Sequence, residues 1–127
     1  MNETLAIILP LPVRVLSPNC QVATPGGRFA KASATKRYRR ITREAVEAEQ
    51  IETAPWGKVV VDVVFYHKVK RRRDEDNAMG SLKAVYDGIV DSGLVPDDER
   101  RYMRRSIPEF KIDKAHPRVE LFIRRIE

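Results

Sequence analysis

One cysteine, two histidines and one tryptophan are all that the 127 residues contain of those types. A lone cysteine, Cys20, excludes an internal disulfide framework and any zinc site built on cysteines, and reads as a half-buried thiol. His67 and His116 are too few and too isolated for a histidine-based nuclease site, so each is expected as a strand-end surface residue. Trp56, beside Pro55, reads as core or interface. Long apolar runs are missing too. The stretch behind the acidic Met1-Asn2-Glu3 start is cut by Pro10 and Pro12, which predicts neither a signal peptide nor a membrane span, and a cytoplasmic setting. There is no internal repeat and no low-complexity segment. At 43% hydrophobic residues, disorder of the whole chain is excluded, and the length suits a single domain over 1–127.

Charge is abundant and unevenly placed. The net +6 conceals a local −7 over the 26 residues from Asp74 to Glu99, which hold eight of the 18 carboxylates. Basic blocks flank this acidic island on both sides. Such a contrast suggests a surface that holds a polyanion and a site that holds a cation. An acidic helix that merely neutralises neighbouring arginines would give the same profile.

Periodicity predicts the elements. Residues 4–9 read as a buried strand stopped by prolines, and residues 17–35 as loop. Tyr38, Ile41, Ala45 and Ala48 recur at helical spacing from about Thr35 to Gln50, ending before Pro55 and Gly57. The β-branched run 58–67 is a central strand. Leu82, Val85, Tyr86, Ile89 and Val90 mark an amphipathic helix, with Gly93 placed as its C-terminal cap. Residues 102–112 form a strand with an edge or bulge at Pro108, and Val119 to Ile123 a last strand. The order β-α-β-α-β-β predicts an α+β domain, a mixed β-sheet with two helices packed on one face.

The acidic residues carry the chemistry. Asp74-Glu75-Asp76-Asn77 falls between the central strand and the second helix, where carboxylates two apart in an extended or turning segment project to one side. Asp97 and Asp98 follow that helix and can return to the same region. Hard oxygen donors beside a basic surface suit Mg²⁺, which keeps waters, accepts phosphate oxygens and can activate hydroxide for phosphodiester attack. Aspartates are equally at home as helix N-caps and turn residues, and both readings stand at this level. Lys83, two helical turns after Asp76, could hold a phosphate or pair with Asp87. Pro96-Asp97 with Glu109-Phe110-Lys111 also matches a loose PD-(D/E)xK nuclease pattern, which chance explains better.

Arg71-Arg72-Arg73-Asp74-Glu75-Asp76-Asn77, then Leu82-Lys83-Ala84-Val85-Tyr86-Asp87-Gly88-Ile89, Gly93 and Asp97-Asp98, together with Ser17-Pro18-Asn19 near the N-terminus, resemble the RusA family of Holliday-junction resolvases. The resemblance implies a Mg²⁺-dependent, homodimeric endonuclease, with Mn²⁺ able to substitute, that makes paired nicks in branched DNA at four-way junctions. It implies Asp74, Asp76 and Asp98 (or Asp97) as metal carboxylates and Lys83 as the catalytic lysine. In the family the lysine follows Asp-Asn closely; here about three further residues intervene, nearly one helical turn. Lys70, Arg71, Arg72 and Arg73 beside the acids, and Lys36, Arg37 and Arg40 on the first helix, are the expected DNA contacts. Arg40–Glu44 and Arg43–Glu47 can pair at i,i+4 and absorb part of that charge. The alternative is a non-catalytic nucleic-acid-binding or interaction protein using the same basic surface.

Overall fold

In the computed structural model, residues 3–16 and 24–127 are described. The elements run β1 (Thr4–Leu9), a short 3₁₀ turn (Arg14–Leu16), α1 (Pro25–Glu47), β2 (Val59–His67), α2 (Arg72–Asp91), β3 (Met103–Arg105), β4 (Glu109–Ile112) and β5 (Arg118–Arg125). The sheet order is β1-β5-β2-β3, with β4 also against β2. β5 is antiparallel to both β1 and β2, whereas β3 and β4 run parallel to β2. The architecture is therefore the expected mixed sheet with two helices, and 58–67 is its central strand.

Alternation along the strands sets the two faces. Val59, Val61, Val63 and Phe65 of β2, Val119, Leu121 and Ile123 of β5, and Leu5, Ile7 and Leu9 of β1 are buried in one cluster with Tyr38, Val46, Leu82, Val85 and Ile89 of the helices. The opposite face carries Ile8, Glu120, Phe122, Asp62, Val64 and Tyr66 at partial or full exposure. Trp56 is wholly buried and its Nε1 donates to Thr53 Oγ1 at 2.8 Å, so the core reading holds.

Four expectations change. The segment 24–35 is not loop: α1 begins at Pro25, capped by Thr24, whose Oγ1 accepts from Gly27 N at 3.0 Å, with proline in the first turn where its missing N–H costs nothing. The rest of the expected loop, including Cys20 and Ser17-Pro18-Asn19, lies outside the described residues. Residues 102–112 divide into two short strands, because Pro108 and the 106–108 link interrupt pairing between Val61 and Val64 of β2. His67 is buried, not a surface residue. Finally, α2 starts at Arg72, so the acidic motif is helical rather than extended.

The two helices pack closely enough to require a glycine. A Cβ at Gly88 would lie 2.6 Å from Arg39 O and 2.7 Å from Thr42 Cβ. The contact is reinforced by Arg39, which reaches Asp91 and, at 3.7 Å, Asp87 of α2. α2 ends as expected: Gly93 adopts φ +85° and its N–H donates to Val90 O at 2.9 Å.

Candidate functional site

The parallel β2-α2-β3 unit builds the site. It delivers α2 from the C-terminal end of β2 and brings the chain back along β2 after the 92–102 connection. Asp74 and Glu75 occupy the first turn of α2, where negative charge meets the positive end of the helix dipole. Helical geometry separates Asp74 from Asp76 by about 200° around the axis, so the expectation that both project to one side is corrected. Asp76, Gly80, Lys83 and Asp87 instead form one stripe along the helix. The extra turn before the lysine thus keeps it on the stripe of Asp76.

Lys83 and Asp98 are brought together. Lys83 Nζ lies 2.7 Å from Asp98 Oδ2 and 3.0 Å from Asp87 Oδ1, realising the i,i+4 pair as well. Hydrogen bonds to Asp98 and then Asp87 raise the lysine pKa above its ordinary value. The hydrogen bond from Lys83 first, and then Asp97 and Arg105, lower the Asp98 carboxyl below the ordinary aspartate value. Asp97 is turned elsewhere: its Oδ1 accepts from Asp98 N at 2.7 Å and stays on the turn. Asp98 therefore faces the lysine and Asp97 does not.

Arg105 of β3 is a partner that sequence reasoning missed. Its Nη2 donates to Asp98 O at 2.6 Å and sits 3.1 Å from Asp98 Oδ2, with the guanidinium 4.5 Å from the Tyr86 ring centroid. No local signal marks Arg105 among several arginines, because its position depends on the parallel register of β3 on β2. Asn77 is likewise more than a motif letter. It is nearly buried, and with its amide nitrogen turned to the neighbouring carbonyls it donates to Arg14 O at 3.1 Å and Arg73 O at 3.3 Å. That ties the start of α2 to the 3₁₀ turn.

The basic residues are placed as a surface. Lys70, Arg71, Arg72 and Arg73 are exposed where β2 passes into α2, and Lys36, Arg37 and Arg40 are exposed on α1. Arg40 and Glu44 approach to 3.9 Å and Arg43 and Glu47 to 3.2 Å, so part of the α1 charge is paired internally. Glu109 and Lys111 of the PD-(D/E)xK-like pattern share a strand face and pair with each other at 3.7 Å. Among the described residues no three His, Cys, Asp or Glu side chains gather into a metal-holding group. Nor, among them, is any helix long and apolar enough to cross a membrane.

Carboxylates thus stand on a helix that starts from a cluster of exposed cations, and a lysine and an arginine grip the one that follows the helix. The comparison with protein families makes this specific. The family model described as Endodeoxyribonuclease RusA matches residues 12–124, and the chain belongs to the RusA family of Holliday-junction endodeoxyribonucleases. None of the curated proteins compared matches the chain significantly.

Proposed function

We propose that this protein is a Mg²⁺-dependent, homodimeric endonuclease that resolves four-way DNA junctions by paired phosphodiester hydrolysis. The observation that supports the site most directly is the 2.7 Å contact of Lys83 with Asp98. It joins the stripe of Asp76, Lys83 and Asp87 on α2 to the turn after the helix.

The donor chemistry fits a hard divalent cation: aspartate oxygens, one of which already attracts an ammonium and a guanidinium. Asp76 and Asp98 would hold the metal. Bound there, the metal would supply an activated water and charge stabilisation at phosphorus. Lys83, which holds Asp98 Oδ2 at 2.7 Å, would offer its ammonium to a phosphate oxygen two turns along the stripe from Asp76. Arg105, donating to Asp98 O, would keep the turn in place. Lys70, Arg71, Arg72 and Arg73 would hold the phosphates flanking the scissile bond, and Lys36, Arg37 and Arg40 a neighbouring arm. The two-fold symmetry of a four-way junction matches a C2 dimer presenting two such sites.

The non-catalytic reading has one observation in its favour: the acids already have structural work, Asp74 and Glu75 at a helix N-terminus and Asp98 in an ion pair. Incubating the protein with a labelled junction and Mg²⁺ or Mn²⁺ separates the two. Paired nicks that depend on the metal support the nuclease. Binding with no cutting under either ion supports the binding protein.

A further inference from the structure

A cavity of about 140 Å³ opens beside the first turn of α2, at the C-terminal ends of the parallel strands β2 and β4. Its lining includes His67, Phe110, Lys70, Arg71, Lys111 and Glu75. Lys70 and Arg71 are cations against the Glu75 carboxylate, whereas Lys111, next to Phe110 in β4, sends its ammonium to the other strand face, 3.7 Å from Glu109. The aromatic members belong to a stack: Phe65 and Phe110 lie 5.5 Å apart at 18°, and His67 and Phe110 6.3 Å apart at 18°. The stack follows from the register, which sets Phe65 opposite Phe110 across the β2–β4 pair, with His67 two residues further on the same face.

His67 gives the cavity its second, independent signal. Its side chain is more than nine-tenths buried, yet among the described residues the ring makes only stacking contacts and no hydrogen bond. A neutral imidazole carries one donor and one acceptor, and neither ring nitrogen is wholly shut off, so both stay open to a ligand in the cavity. The volume gives room for a single six-membered ring. One six-membered ring with a polar edge, on a strand whose phosphates meet Lys70 and Arg71, matches the chemistry of a pyrimidine nucleotide.

We infer that this cavity receives a single-ring DNA base unstacked from its strand, with the base against His67 and Phe110 and its phosphates against Lys70 and Arg71. The inference rests on the junction-nuclease reading for the source of that strand, because bases at a branch point are the ones free to leave the stack.

The test uses the full chain, in EDTA so that nothing is cut. Three fluorescent four-way junctions are compared by anisotropy: one fully paired, one with a single unpaired thymidine at the branch point, and one with an abasic spacer there. Wild-type protein should bind the thymidine junction about tenfold more tightly than the abasic one, the effect of a base stacking on an aromatic side chain. Phe110→Leu should abolish the difference and leave affinity for the fully paired junction unchanged. Permanganate oxidation of the unpaired thymidine gives a readout that needs no variant, and bound wild-type protein should protect that base. Equal affinity for the thymidine and abasic junctions, a preference that survives Phe110→Leu, or a bound thymidine as reactive as the free one each overturns the inference. Cleavage is scored separately with Mg²⁺. Thymidine preference without any cutting supports the cavity and sinks the nuclease reading, whereas normal cutting without preference sinks the cavity alone.

Discussion

Replacing Gly88 with alanine tests the packing that holds α2, and with it Asp76, Lys83 and Asp87, in position. The added Cβ would sit 2.6 Å from Arg39 O and 2.7 Å from Thr42 Cβ, with Thr42 Cγ2 at 3.1 Å. Thr42 is fully buried, and its Oγ1 donates to Tyr38 O at 2.9 Å, so it cannot swing aside without losing that bond. The carbonyl belongs to the α1 backbone and has no rotamer at all. Overpacking of this kind costs ~1–3 kcal/mol, and two contacts this short place it at the upper end. Alanine returns about 1 kcal/mol through its better helix propensity. The net expectation is a loss of roughly 2 kcal/mol, or on the order of 8 °C in Tm for a chain of this size. Thermal unfolding followed by circular dichroism measures it, with a guanidinium titration as a second reading. Adding Thr42→Ala should recover only part of the loss, since the carbonyl contact remains. A Gly88→Ala protein that melts within about 2 °C of wild type, or above it, refutes the close approach of the two helices.

Three further expectations follow from single contacts. Gly93→Ala forces a side chain into φ +85° and should cost about 1 kcal/mol, read as a shift in the denaturation midpoint. Asp91 has its carboxyl pKa lowered by the hydrogen bond from Arg39, so that contribution to stability is present above the unfolded pKa and is lost as pH falls through the lower folded one. Arg39→Ala should therefore raise the Asp91 midpoint in an NMR titration, and an unmoved midpoint shows the pair contributes nothing. Lys83→Met should reduce junction cleavage by about 100-fold or more, the scale of losing one preorganised donor, with junction affinity changed little. Cleavage within a few-fold of wild type removes Lys83 from the catalytic set.

Much of the fold was legible because it depends on local periodicity. The β-branched run 58–67 could only be a buried strand, the apolar spacing from Leu82 to Val90 could only be one face of a helix, and Gly93 marked its end through a backbone conformation that glycine adopts freely. The boundaries were less legible where local rules compete. Gly26 and Gly27 suggested loop, but Thr24 and Pro25 together cap and start a helix that continues through them. The acidic motif suggested a turn, yet acids in a first helical turn are favourable, so the helix absorbs Asp74 and Glu75 and turns Asp74 away from Asp76. For the candidate site, the motif named Asp76, Lys83 and Asp98; the fold brings Lys83 and Asp98 together, and two-turn spacing keeps Lys83 on the stripe of Asp76. It could not distinguish Asp97 from Asp98, because that depends on which carboxylate the turn uses for its own backbone. Arg105, His67 and Phe110 were out of reach for a single reason. Each acquires its neighbours through the parallel pairing of β3 and β4 with β2, a register set by residues far apart in the chain.

The central claim is that Asp76 is a metal-binding catalytic carboxylate on a DNA-holding scaffold. The most direct test compares wild type and Asp76→Asn on one labelled four-way junction, measuring affinity in EDTA and nicking after addition of Mg²⁺. The account predicts paired nicks by wild type only with the metal, and an Asp76→Asn protein that binds the junction with similar affinity but cuts at least about 100-fold more slowly. Cutting by Asp76→Asn at the wild-type rate, or junction binding by wild type with no cutting in Mg²⁺ or Mn²⁺, contradicts it.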